Sequence, residues 1–321
     1  MAIIETHRLT KKFGKLVAVN KLDLSINQGE IFGLLGPNGA GKTTTLSMLA
    51  TLLPPTDGNA SVNGFDVKKD PSKVRHSIGF VFQDPSSDDL LTGRENLYLH
   101  ALMYGVKMDN IDKKMDEVLR LVDLTNRQNE RMKTYSGGMR RRLELARGLL
   151  HEPKILFLDE PTLGLDPQTR DHIWKYIKKL SVEKKVTIIL TTHYMEEADI
   201  LCDRVAIIDH GKIVALDTPT HLKESLGGDV VTLRTGHPNM KAVRKLKYVT
   251  YTKKEDGALM LTVDNAGSHL QEILEKVGDV QSVESRSPTL NDVFLHLTGK
   301  EIRDSGAEGG WFQRMTNSRR K

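Results

Sequence analysis

Three stretches of this sequence run from apolar residues into residues able to do phosphate chemistry. The first is Gly36-Pro37-Asn38-Gly39-Ala40-Gly41-Lys42-Thr43, which follows Glu30-Ile31-Phe32-Gly33-Leu34-Leu35 and continues through Thr44. Its glycines let backbone amides turn inward around phosphate oxygens, and a following helix adds the partial positive charge of its N-terminus. Lys42 has the reach for β- and γ-phosphates, and Thr43 offers a hydroxyl to Mg²⁺. In the second stretch, Ile155-Leu156-Phe157-Leu158 ends in Asp159-Glu160. Asp159 suits a hydrated Mg²⁺, and Glu160 suits a general base that orients and deprotonates an attacking water. The third is the apolar run Val186 to Thr192, which precedes His193. The carboxyl end of a parallel strand is where such sheets present ligands.

The elements that must position these residues are legible in the periodicity. Leu22-Asp23-Leu24-Ser25-Ile26 alternates apolar and polar, as a half-buried strand does, and Glu30 to Leu35 reads as a buried strand. Thr43 to Leu53 predicts a helix that stops at Pro54-Pro55. From about Asp84 to Leu150 the pattern is helical, with Leu97, Ala101, Leu102 and Tyr104 at helical spacing, then Val118, Leu119 and Val122. Buried strands at Ile155–Leu158 and Val186–Leu190 alternate with helices at Arg170–Leu180 and Tyr194–Leu201. That alternation predicts an α/β fold around a largely parallel sheet. Val205-Ala206-Ile207-Ile208, Asp209-His210-Gly211 and Lys212 to Leu216 read as a hairpin that closes the domain.

Gly227-Gly228 after a short helix marks the expected boundary, giving a first domain over 1–226 with a helical subdomain at about 84–150. Past it, strands at Val230–Arg234, Tyr248–Thr252 and Leu259–Val263 interleave with helices at Met240–Leu246 and Leu270–Val277. Residues 227–299 are thus expected to form a small α+β module. It carries no metal-ligand spacing, glycine fingerprint or paired carboxylates, so dimer reinforcement or regulation is its expected part. The polar stretch 300–321, ending Ser318-Arg319-Arg320-Lys321, is expected to be poorly ordered without a partner.

Composition narrows the classes. The 321 residues are 38% hydrophobic and 28% charged, which describes a globular chain and not a disordered one. Cys202 is the single cysteine, so neither a disulfide framework nor a thiolate zinc cluster can form within the chain. No apolar run approaches the roughly 20 residues of a spanning helix, and the N-terminus lacks the order of a secretory signal. Any work at a membrane is expected to go through a partner. The net charge of +5 is a slight basic excess and does not itself point to nucleic acid.

Tyr135-Ser136-Gly137-Gly138-Met139, before a helix that opens with Arg140, Arg141 and Arg142, offers a second anion site. One nucleotide has little use for two such sites in one subunit, so the site is expected to be shared between subunits.

With these elements in this order, the chain over roughly residues 1–225 resembles the ATP-binding subunits of ABC transporters, P-loop ATPases. The resemblance implies that Ser136, Gly137 and Gly138 touch the γ-phosphate of ATP held by the loop of a second copy. It implies that Phe13, in Lys11-Lys12-Phe13-Gly14, stacks on adenine where tyrosine is usual. It implies that Gln83 touches Mg²⁺ and senses the membrane partner, that Leu163-Gly164-Leu165-Asp166 couples the two sites, and that His193 contacts the γ-phosphate and supports Glu160. Tyr135 and Met139 depart from the family's usual leucine and glutamine. A narrower resemblance, to the daunorubicin-resistance type of exporter ATPase, rests on Met132–Glu144, Asp89–Leu97 and Pro288–Leu295. It implies export of a drug, antibiotic or lipid through a separately encoded integral-membrane permease, with this subunit peripheral on the cytoplasmic face. The other class in play is a soluble ATPase of the same superfamily acting on DNA or the ribosome. Those members carry a long coiled coil, zinc cysteines or two ATPase domains, and this sequence has none of them.

Overall fold

A computed structural model describes residues 1–236, 238–255 and 257–299. The expected tail at 300–321 lies outside the described residues. The chain forms two compact units that divide between Leu216 and Asp217. The expected boundary at Gly227 falls ten residues later, because the short helix before it belongs with the second unit.

The first unit opens with β1 (Ala2–Phe13) and β2 (Leu16–Asn27), then β3 (Ile31–Leu35) and α1 (Lys42–Leu49). Next come β4 (Asp57–Val62), β5 (Phe65–Asp66), α2 (Pro71–Ser77) and β6 (Ile78–Val81). The helical stretch holds α3 (Gly93–Met103), α4 (Met108–Leu121) and α5 (Gly137–Leu149). It leads to β7 (Ile155–Asp159), α6 (Pro167–Lys184), β8 (Thr187–Thr192), α7 (Met195–Leu201), β9 (Arg204–Asp209) and β10 (Lys212–Asp217).

The central sheet runs in the order β10-β9-β3-β8-β7-β6. All five residues of β3, all five of β7 and all six of β8 are buried, as a sheet covered on both faces demands. The pairs β9–β3, β3–β8, β8–β7 and β7–β6 are parallel, and Leu158 faces both Val81 and Leu190. The chain therefore leaves β3, β6, β7 and β8 at one edge of the sheet, and the chemical residues sit there. A second sheet, β2-β1-β4-β5, is antiparallel; one core cluster joins its Ile4, Leu9 and Ile26 to Phe32 and Phe157. The α1 helix ends at Leu49, short of the expected Leu53, because the backbone turns left-handed at Thr51 (φ 62°).

The second unit begins with α8 (Pro219–Glu224), then β11 (Asp229–Arg234), α9 (Met240–Val243) and β12 (Val249–Glu255). It continues through β13 (Ala258–Val263), α10 (Ala266–Val277), β14 (Ser282–Arg286) and α11 (Leu290–Thr298). Its antiparallel sheet runs β12-β13-β11-β14. Val231, Leu233, Leu259 and Leu261 pack with Val243, Ile273 and Val277 of the helices.

Candidate functional site

The loop from Gly36 to Thr43 is held in shape by its neighbours. The Gly36 N–H donates to the Thr192 carbonyl at 3.3 Å, and the Gly211 N–H donates to the Ala40 carbonyl at 3.0 Å. Gly41 has φ 104°, and a Cβ there would meet the Ala18 carbonyl at 2.4 Å, so this position requires glycine. A Cβ at Gly36 would lie 2.2 Å from the Ile208 carbonyl. Pro37 is half-buried, Asn38 and Gly39 are exposed at the crest, and Thr43 and Thr44 begin α1 half-buried.

Lys42 is 4% exposed, and its ammonium donates to the carbonyls of Gly36 at 2.7 Å and Pro37 at 3.2 Å, 3.5 Å from Glu160 Oε1. Burial lowers its pKa, while Glu160 and Asp159 pull the other way. Thr43 donates its hydroxyl to Asp159 Oδ1 at 3.0 Å, and Thr191 donates to the same oxygen at 2.5 Å. Burial raises the Asp159 pKa against those two hydrogen bonds.

Glu160 sits in the left-handed region at φ 46°, a conformation that costs a glutamate about 1–3 kcal/mol and that only surrounding contacts maintain. Its N–H donates to Thr191 Oγ1 at 3.0 Å, and its Oε2 lies 3.1 Å from His193 Nδ1. Burial alone would raise its pKa, but the His193 hydrogen bond and the Lys42 charge outweigh burial and hold it below the ordinary glutamate value. A carboxylate so held is ionised at neutral pH. It suits orienting a water and accepting its proton late, in a phosphoryl transfer where positioning does most of the work.

The five residues Lys42, Thr43, Asp159, Glu160 and His193 thus meet at the carboxyl edge of the sheet. The remaining predicted residues surround this cluster or lie apart from it. Phe13 ends β1 and is 41% exposed, so it presents a ring face instead of filling the core, with Lys11 Nζ 5.3 Å from its centroid. Gln83 is half-buried two residues after β6. Ser136 caps α5, its Oγ accepting the Met139 N–H at 3.3 Å; it and Gly137 are exposed. Gly138 packs so closely on α6 that a Cβ would meet Thr169 Cγ2 at 2.4 Å. Asp166 is exposed and caps α6 by accepting from the Thr169 N–H at 3.0 Å and hydroxyl at 2.6 Å. Tyr135 fills a structural place, buried with its hydroxyl donating to the Arg127 carbonyl at 2.8 Å.

Sequence reasoning missed Thr191 and Arg141. The Arg141 guanidinium is buried and donates to the carbonyls of Phe82 at 2.5 Å, Pro161 at 2.6 Å and Asp159 at 3.1 Å. Burial lowers its pKa to about 10, so it remains charged at neutral pH. The available signal was spacing: Arg141, Glu144, Leu145 and Gly148 form the i, i+3, i+4, i+7 stripe that faces inward on α5.

A hydroxyl and one carboxylate joined at 3.0 Å are hard oxygen donors of the kind Mg²⁺ takes when phosphates and waters complete its shell. Among the described residues no group of three or more His, Cys, Asp or Glu side chains could hold a metal ion alone. Thr43 and Asp159 fit such a shared ion.

Comparison with known proteins agrees with this geometry. The ABC transporter family model matches residues 19–163, and the model for the C-terminal domain of DrrA1-3-like ATP-binding proteins matches 218–298. Linearmycin resistance ATP-binding protein LnrL of Bacillus subtilis is 38% identical over 314 residues, covering 94% of this chain and 100% of the relative. Daunorubicin/doxorubicin resistance ATP-binding protein DrrA of Streptomyces peucetius is 39% identical over 314 residues, 95% of each chain. The dimeric ATP-binding cassette MJ0796, in a post-hydrolysis state bound to ADP and Pi, aligns with a TM-score of 0.61 at 28% identity, over 67% of this chain and 98% of that one. The chain belongs to the ATP-binding proteins of ABC transporters, in the group with a DrrA-like C-terminal domain, and is an ATPase.

Proposed function

We propose that this chain powers an exporter as one of two ATPase subunits on the cytoplasmic face of the membrane, with a separate permease carrying the cargo. The observation that carries the catalytic part is the meeting of Lys42, Asp159, Glu160 and His193 around the loop. Lys42 binds the β- and γ-phosphates, and its ammonium has only to leave two backbone carbonyls to do so. The amides from Asn38 to Thr44 cradle the phosphates, and Phe13 stacks on adenine. Glu160 orients the attacking water and takes its proton, and His193 holds Glu160 and contacts the γ-phosphate. When Mg²⁺ is bound by Thr43, Asp159 and Gln83, it neutralises charge developing on the phosphate oxygens. Ser136, Gly137 and Gly138 complete the site of a second copy, and Asp166 lies beside that interface.

Docking to a permease is supported by a groove of about 230 Å³ lined by Phe82, His100, Met103 and Tyr104. Beside it, α3 leaves Leu99 and Leu102 exposed. Among the described residues no helix is long and apolar enough to cross a membrane. The relatives include a Nod factor export ATP-binding protein I of Cupriavidus pinatubonensis, 38% identical over 304 residues. The resistance names among the relatives favour a drug or antibiotic cargo. The test is co-expression with the cell's own permeases: the subunit is expected in the membrane fraction with one of them. Finding it on ribosomes or DNA would overturn the reading.

A further inference from the structure

Arg141 joins two parts of the molecule that serve different nucleotides. It stands one turn into α5, whose first turn is Gly137 and Gly138 with Ser136 as cap. In a shared site, that end of α5 faces the nucleotide bound by the second copy. The other end of the Arg141 side chain is buried in its own subunit. There it donates to the carbonyls of Asp159 and Pro161, the residues on either side of Glu160, and to Phe82, the residue before Gln83. Glu160 is the strained residue of the site, at φ 46°. A left-handed glutamate persists only where its surroundings over-determine it. Arg141 holds the carbonyls of both flanking residues, and Thr191 Oγ1 accepts the Glu160 N–H.

Helix α5 is anchored along its length by Leu143, Leu145 and Leu149, all buried, so its first turn and Arg141 move as one rigid piece. The next buried polar residue on the same stripe extends the linkage. Glu144 accepts the N–H of Ser86 at 3.2 Å and of Ser87 at 3.0 Å, and the Ser86 hydroxyl at 3.1 Å. Both serines lie in the segment just after Gln83.

We propose that Arg141 is a positioning residue through which nucleotide engaged at the start of α5 sets the backbone of Glu160 in the same subunit, coupling the two sites of the closed dimer. The proposal rests on the shared-site reading above. Each site's general base is then held more firmly when the other site holds ATP.

The experiment uses the full chain with Arg141→Gln and, separately, Arg141→Lys, each also combined with Glu160→Gln. Trinitrophenyl-ATP binding reports the loop, ATP-driven dimer mass in the Glu160→Gln background reports closure, and hydrolysis against ATP concentration reports coupling. Arg141→Gln is expected to keep analogue affinity and closure, to lower kcat about a hundredfold through misplaced Glu160, and to bring the Hill coefficient of hydrolysis down toward one. Arg141→Lys should recover part of kcat, since one ammonium replaces part of the fork. Wild-type kcat and Hill coefficient in Arg141→Gln would overturn the proposal. So would a lost kcat with an unchanged Hill coefficient, which makes Arg141 a local prop. Failure of the Arg141→Gln, Glu160→Gln chain to dimerise where Glu160→Gln alone succeeds would also overturn it. No dimer from Glu160→Gln alone would instead sink the shared-site reading.

Discussion

The two halves of the proposed nucleotide site are built on opposite principles. Around Lys42 every charge is buried and answered within the subunit: the ammonium by two carbonyls and Glu160, Asp159 by two hydroxyls, and Glu160 by His193 and Lys42. At Ser136 to Gly138 there is no charge, two of the three residues are exposed, and the serine does nothing but cap its helix. A buried charged cluster is expensive to assemble and must be complete before ligand arrives. An exposed helix start is cheap, and is competent only when something brings an anion to it. In the proposed shared site, one half binds nucleotide by itself, and the other acts on nucleotide that a partner presents.

The largest expected effect separates the halves by chemistry. Glu160→Gln should lower steady-state hydrolysis about a thousandfold, as loss of a general base does, while equilibrium dialysis still finds ATP bound. Wild-type turnover in that variant would remove Glu160 from its role. Next, Lys42→Ala should weaken ATP binding by the separate subunit about tenfold to a hundredfold, since a charge-assisted contact contributes about 1.5–3 kcal/mol. Under the same titration Ser136→Phe should leave binding by the separate subunit within about twofold yet abolish cooperative hydrolysis. Equal losses of binding in the two variants would erase the distinction between the halves. Phe13→Ala should cost about tenfold in ATP affinity and Phe13→Tyr almost nothing, because either ring supplies a face for the base.

The smallest effect lies in the second unit, which serves as a control. Burial would raise the Asp292 pKa, but bonds from Arg286 at 2.6 and 2.9 Å and from Thr289 outweigh it, so the folded value is lowered. A carboxylate depressed by folding adds stability above its unfolded pKa, and this is lost as pH falls through the folded one. Asp292→Asn should lower the melting temperature of the chain by about 2–4 °C at neutral pH, with the difference closing in acid and hydrolysis at neutral pH unaffected. A difference that does not narrow in acid would assign the loss to packing.

What the sequence made legible followed physical scale. The central strands were readable because a sheet covered on both faces leaves runs such as Ile155 to Leu158 no polar position. The loop was readable because its backbone conformation admits few residues besides glycine. Neither reason applies to Arg141. It sits in a run of three arginines, and only the three-dimensional stripe with Glu144, Leu145 and Gly148 turns the middle one inward. The left-handed backbone at Glu160 has no sequence mark either, since glutamate gives no preference for it; the tertiary bonds impose it. Strand β14, with four of five residues exposed, lacked the burial pattern that reveals a strand. Thr51 ended α1 by a backbone turn before the prolines that were expected to stop it.

On the proposed reading, this subunit carries one half of each of two shared sites. Multi-angle light scattering of the Glu160→Gln chain, with and without saturating ATP and Mg²⁺, tests it most directly. A monomer is expected without nucleotide and twice that mass with ATP, a change that Ser136→Phe prevents. A monomer at saturating ATP, with nucleotide bound, would contradict it.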